Sequence, residues 1–503
     1  MNIAGYGFLQ RTLSLPVFPV DPPAQIAPVQ RILQAADGSI QVPRSVAPAS
    51  DHPLDHVLFA LKHEGLNLQV LSEALPRIPA AEIRARFIEK PSSAYIRQAC
   101  FLWEAFTKEA LEDLPAVSGS YSDLFDPARY VTGASERHPK WRVAFNGLGS
   151  LQYCPIVRRT QDVEQLLSKR ILERTQGFLD SIGLEAAERA MGWAYLSETE
   201  SSFAIERETP GTNKKAAFVA LLQQAHNARP LTETYLSDLQ SATITNPFDR
   251  AACFRHEQNW LRQGGLRGAA GISYVPPTPE SLGRLMPDFL EMANALPRQV
   301  DPLVAAAVSS FGFVFLHPFM DGNGRLSRFL FHDALCRSGE LQDGMVLPVS
   351  IAMKRHEMAY LKALKSFSTP ARALWSVSWI DEDQFTFDFK GSEAIYRFWD
   401  ATPCVEFGLR MAEEALAVDL VQEVEFLAKF DLIRRALDEQ FDLRSNDQHL
   451  LILSALQNNG IISKHLRKQL AGRVPDEVFA FIESAVLEES EAEPAKTARI
   501  RPR

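Results

Sequence analysis

The amino-acid sequence predicts a mainly α protein with two small β pieces, and three features support this. Apolar residues recur at helical spacing from about residue 54 to residue 489, only two short stretches read as strands, and no segment repeats. Residues 1–50, with LPVFPVDPPAQIAPVQ, are rich in proline and read as an extended arm. The helical period starts in DHVLFALKHEG and continues in SSAYIRQACFLWEAFTKEAL, behind a Ser92 or Ser93 cap. After the loop YCPIVRRT it resumes in DVEQLLSKRILERTQGFL, so residues 51–183 read as a helical N-terminal domain. Arg158 and Arg159 in that loop read as surface or capping residues.

A core over residues 184–370 follows, with helices expected at 184–206, 214–226, 232–241, 279–296, 301–316 and 324–337. Between them RGAAGISYVPP, residues 267–277, is a glycine-broken strand or hairpin ending at two prolines. The segment 371–440 opens with VSWIDEDQFTFDFKG, a second hairpin around an acidic turn, and turns helical from about residue 405. Residues 441–490 form a helical, winged-helix-like module, and the charged end, 491–503, is expected to be disordered. Ser463 could cap a basic helix carrying Lys464, Arg467 and Lys468. Asp476, Glu477 and Glu483 on the next helix would repel phosphate, so packing or protein contact is favoured over DNA.

The chain has 503 residues, too many for one ordinary core, and its net charge of −9 argues against coating nucleic acid or an anionic membrane. No run approaches the roughly 18 apolar residues of a membrane span. MNIAGYGFLQRTLSLPVFP lacks the apolar core and cleavage site of a signal peptide, so a cytoplasmic location is expected. Five scattered cysteines without a CxxC pair read as reduced thiols, not as a disulfide frame or zinc site.

The chemistry concentrates in FLHPFMDGNGRLSRFL, residues 315–330. The apolar VDPLVAAAVSSFGFVFL should be a buried helix that stops at His317, because Pro318 cannot continue it comfortably. Gly322 and Gly324 permit backbone angles closed to other residues, and a new helix begins near Leu326. Unpaired N–H groups at that helix start favour an anion. Arg325 and Arg328, three apart, can lean towards the same place. Asp321 offers hard oxygen to Mg²⁺, and His317 can take a proton near neutral pH. Together these suit phosphoryl or nucleotidyl transfer. The bland alternative is a glycine turn with a buried histidine and surface arginines.

HPFMDGNGRLSR resembles the motif H-P-F-x-[DE]-G-N-G-R-x-x-R of the Fic family at every fixed position. The resemblance implies a mostly helical, Fic-type core that transfers AMP from ATP to a protein hydroxyl on Tyr, Thr or Ser, with pyrophosphate leaving. It implies that His317 deprotonates the hydroxyl and that Asp321 holds Mg²⁺. Asn323 and the backbone of Gly322 and Gly324 would bind the α- and β-phosphates, and Arg325 and Arg328 the outer ones. Gly324 sides with AMP transfer, since the phosphorylating Doc branch has lysine there.

The resemblance extends to two further elements. AAGISYVPPTPESLGRLM is similar to the family's flap, which would register a target strand by main-chain bonds and place Ile272 near the target side chain. SETESSFAIERETP, residues 197–210, is similar to the end of the family's N-terminal inhibitory helix (about 186–207). There Ser202 and Glu206, four apart, fit [ST]-x-x-x-E-[GN], and Glu206 would pair with Arg328 and close the γ-phosphate site. Arg207 departs from the Gly or Asn usual at that place. Less specifically, WRVAFNGLGSLQYCPIVRRT and YRFWDATPCVEFGL are similar to the flanks of larger bacterial Fic proteins. His332 reads as a structural histidine. Self-modification and a homo-oligomer are compatible with this reading, and no membrane partner is expected. Removal of AMP by the same site, with Glu206 activating water, and a non-catalytic Fic-fold interaction protein are the alternatives. The sequence does not show which nucleotide base is read.

Overall fold

The computed structural model describes residues 2–497, except 36, 37, 118, 228, 245–249, 263, 267, 343, 382 and 383, with side chains to residue 488. At its centre lies the helix Pro302–Leu316. Fourteen of its fifteen residues are buried, so it has no solvent face. Asp301 starts it by accepting the N–H groups of Leu303 and Val304 at 2.9 and 3.4 Å, with Pro302 at the position where no N–H is needed. The helix Asn323–Ser338 packs along it, and Leu184–Ile205, Glu233–Thr243, Pro279–Ala295 and Thr402–Glu414 enclose the pair. With Thr212–Gln224, the six helices expected over 184–337 are all present, each within a few residues of its expected limits.

Leu184–Ile205 positions the site most directly. Its buried face carries Ala190, Met191, Ala194, Tyr195, Glu198, Ser202 and Phe203. A buried glutamate and serine on a core-facing stripe call for partners on the opposing element.

The β content is small. Ile272–Tyr274 pairs antiparallel with Leu261–Arg262, and Trp375–Asp381 with Gln384–Phe389. On one face of the second hairpin Trp375, Val377 and Trp379 stand opposite Phe389, Phe387 and Phe385. This face covers Ile272 and Val275, with Trp260 5.3 Å from Phe387. Two three-stranded sheets lie in the N-terminal half, over 25–42 and 122–145. Among the described residues no helix is long and apolar enough to cross a membrane, and the five cysteines are free.

Several expectations need correction. Residues 5–12 are not an extended arm but a helix, Gly5–Thr12, whose Tyr6 and Leu9 enter the main core. The helix depends on tertiary partners: its first N–H groups go to His56 Nδ1 at 3.1 Å and Glu64 Oε1 at 2.9 Å, and the Tyr6 hydroxyl donates to Gly65 O at 2.7 Å. One apolar cluster runs from Tyr6 to Leu420, so boundaries at 50, 183 and 370 separate no cores. A second cluster, Phe430 to Val486, does form a C-terminal module, but it begins inside the helix Val421–Gln440 and not at 441. There Glu483 holds Arg467 at 2.6 Å and accepts Ile462 N–H at 3.0 Å, tying the basic helix into the packing. The last helix reaches Thr497, into the expected disordered tail; residues 498–503 lie outside the described residues. So do Arg267, at the start of the expected flap, and the acidic turn at 382–383.

Candidate active site

His317 ends the central helix in a left-handed conformation, φ 51°. It is 8% exposed, and its Nδ1 lies 3.2 Å from Val314 O. A carbonyl only accepts, so Nδ1 carries the proton and Nε2 keeps its lone pair. Burial pushes the imidazole down to about 4. The Val314 carbonyl, Glu206 and Asp321 pull it up, and the charge of Arg255 lowers it further. The imidazole is therefore neutral at pH 7, the state a proton acceptor needs.

The loop after it is built by its own residues. Asn323 is 2% exposed; its side chain accepts Phe319 N–H at 3.0 Å and donates to Phe319 O at 2.7 Å. The amide therefore closes the loop between Phe319 and Asn323. Gly322, at φ 86°, turns the chain into the next helix. Asp321 is half-exposed, with Oδ1 accepting Gly322 N–H at 2.6 Å and lying 3.4 Å from Arg325 Nη2.

The anion place at this helix start is filled from within the chain. A Cβ on Gly324 would stand 2.0 Å from Glu206 Oε1, so the carboxylate lies directly against the glycine. Glu206 Oε1 also accepts from Arg328 Nη2 at 2.8 Å. Ser202 Oγ and O accept from Arg328 Nε and Nη2 at 2.6 and 2.8 Å. The expected contact of Glu206 with Arg328 is present, and Ser202 holds the same guanidinium. Arg207 has φ 60°, a left-handed residue at the end of the helix. The Gly or Asn usual there would meet less steric cost than arginine.

Arg325 is 2% exposed and lies over the Phe203 ring at 5.4 Å. Its Nη1 contacts Glu208 Oε2 at 3.3 Å and Thr243 O at 3.2 Å. Both motif arginines are therefore met by carboxylates that follow the helix Leu184–Ile205. Sequence reading missed Glu208. Its only sign was a second acidic residue two places after Glu206, a spacing that in a continuing helix would face elsewhere. Arg325 Nε and Arg328 Nη1 are buried without a hydrogen-bond partner among the described residues. Such donors suit a multiply charged anion. Ile272 is 3% exposed beneath the second hairpin, and its carbonyl accepts from Arg372 Nε at 2.9 Å. Deeper in, His332 Nε2 lies 2.9 Å from Glu198 Oε1, both side chains buried.

A neutral buried imidazole beside an anion cradle is suited to moving a phosphorus-bound group. Residues 230–335 match the model of the Fic/DOC family. A relative from Nematostella vectensis named Protein adenylyltransferase Fic is 40% identical over 194 residues, covering 35% of this chain and 45% of the relative. One of the same name from Drosophila willistoni is 36% identical over 93 residues, covering 18% and 17%. The chain spans less than half the length of either relative. A crystal structure of a Fic family protein from Desulfovibrio desulfuricans G20 aligns at 18% identity with a TM-score of 0.39, over 67% of this chain and 92% of that one.

Proposed function

We propose that the protein is an adenylyltransferase that moves AMP from ATP to a hydroxyl side chain of a protein and is held off by its own Glu206. One observation carries the reading: the Glu206 carboxylate sits between Gly324 and Arg328, where a phosphate would take the same donors. In the transfer, the target oxygen attacks the α-phosphorus. Its proton passes to His317 Nε2, and the bond to the β-phosphate oxygen breaks, so pyrophosphate leaves. Arg325 and Arg328 carry donors for the charge that builds on the outer phosphates.

Asp321 is the residue that would hold Mg²⁺. It is a half-exposed carboxylate next to the cradle, and among the described residues no cluster of three His, Cys, Asp or Glu could hold a metal. One carboxylate suits an ion whose remaining ligands are phosphate and water oxygens. Such an ion would neutralise phosphate charge.

The test is incorporation of label from α-³²P-ATP into the protein itself and into a lysate. Wild type, Glu206→Gly and Glu206→Gly/His317→Ala are compared. Labelling strong in Glu206→Gly and absent from the double variant is the expected result. No label in any variant would overturn AMP transfer from ATP.

A further inference from the structure

Arg255 lies in AACFRHEQNW, a stretch with no evident motif, yet it is 5% exposed and donates only to backbone in the contacts seen. Its Nε donates to His317 O at 2.9 Å, and its own N–H donates to Pro318 O at 2.8 Å. These two bonds grip the two consecutive peptides that follow the left-handed residue His317. That turn carries a steric cost for a residue with a Cβ and needs surrounding structure to hold it. The same guanidinium reaches Glu257 O at 2.9 Å through Nη1, and Pro277 O through Nη2. Pro277 follows the strand Ile272–Tyr274. Neighbours repeat the pattern: Gln258 donates to Pro276 O at 3.0 Å, and Asn259 to Phe319 O and Met320 O at 3.2 Å. Residues 255–259 therefore bridge the strand's exit and the loop that carries the imidazole.

We propose that Arg255 is a positioning residue for the transfer: one guanidinium fixes the turn that aims His317 and sets its distance from the flap strand. The proposal rests on His317 being the proton acceptor for a hydroxyl presented along that strand. A fork of planar donors can hold three carbonyls at fixed angles, whereas an ammonium on a flexible stem cannot. Lysine at this place would keep the charge and lose the geometry; glutamine would lose both. The charged groups that act on His317 are Arg255, which disfavours its protonated form, and Glu206 and Asp321, which favour it. The two substitutions therefore separate geometry from charge.

The experiment uses the full chain in the Glu206→Gly background, with Arg255, Arg255→Lys and Arg255→Gln. It reads ATP affinity, the rate of self-labelling from α-³²P-ATP, and the His317 imidazole titration by NMR. Both variants are expected to bind ATP within about twofold of the parent and to label roughly thirty- to a hundredfold more slowly, the scale of a misplacement near 1 Å. Only Arg255→Gln is expected to raise the imidazole titration above that of the Glu206→Gly parent. Unchanged labelling in Arg255→Lys would overturn the proposal, as would a loss of labelling that merely follows a loss of ATP binding or folded protein. If Arg255→Gln does not fold, Arg255→Lys carries the test. If the Glu206→Gly parent does not label at all, it is the transfer reading that fails. The titration difference then decides whether Arg255 governs the imidazole.

Discussion

The helix Leu184–Ile205 meets the helix Asn323–Ser338 at two charged contacts, and the two differ in kind. At Glu198 the carboxylate faces His332 at 2.9 Å and accepts Ser350 N–H at 2.8 Å, with 0% and 2% of the paired side chains exposed. Two turns later Glu206 pairs with Arg328 at the same range; the arginine is again buried, at 2%, but 36% of the glutamate side chain is exposed. Both helices repeat their polar residues every four positions, 198, 202 and 206 against 328 and 332, so one register serves both contacts. Only the surroundings differ. A sealed pair loses its partner at high cost, while a pair open to water can exchange one anion for another. The inner contact is thus an anchor, and the outer one is a place where a ligand can compete without unseating the helix.

The largest expected effect breaks the anchor. Glu198→Ala should lower stability by about 3–5 kcal/mol, the scale for removing one member of a buried pair, read as a large fall in thermal midpoint. Glu206→Gly should cost less, because Ser202 still accepts from the buried Arg328 guanidinium, and raise nucleotide affinity instead. Equal losses of stability at the two positions would erase the distinction.

Acid sharpens the same contrast. Burial alone would raise the carboxyl of Glu198, but His332 and the bonds from His332 and Ser350 hold it below its ordinary value. A carboxyl held low contributes stability above its unfolded value of about 4.3 and loses it as pH falls through the lower folded value. The stability gap between wild type and Glu198→Gln should persist at neutral pH and close only in acid below that value. A gap that closes between pH 6 and 7 would contradict this assignment.

Smaller effects surround the outer contact. Glu208→Gln frees Arg325 from its second carboxylate. In the Glu206→Gly background it should tighten ATP a further few-fold, within the range of about 1 kcal/mol for a partly exposed pair; titration calorimetry reads it. Arg207→Gly should be smallest. Relief of the left-handed arginine is worth about 1 kcal/mol. It should firm the closed state and weaken ATP binding by a few-fold; tighter binding would mean that the strain does not act on the brake.

Much of this was legible in the sequence because its signals are local. Proline at 318, glycines at 322 and 324, and arginines three apart mark a helix–loop–helix with an anion cradle wherever they occur. The pairing of Glu206 with Arg328 was legible only through family resemblance, since a Ser and a Glu four apart are common. What escaped depends on distant residues. The helix Gly5–Thr12, with two glycines and proline-rich flanks, is held by His56 and Glu64 from another element. Nothing near Asn323 shows that its amide closes on Phe319. Arg255 and Glu208 acquire their roles only when chain segments 62 and 117 residues away fold against them. Ile272 alternates as a flap residue should, but the hairpin that covers it lies about a hundred residues downstream.

The central claim is that Glu206 stands where a nucleotide's phosphate belongs. Equilibrium binding of ATP to wild type and Glu206→Gly, with no target protein present, tests it most directly. The account requires at least tenfold tighter binding in Glu206→Gly with the fold intact; equal affinity for the two proteins would contradict it.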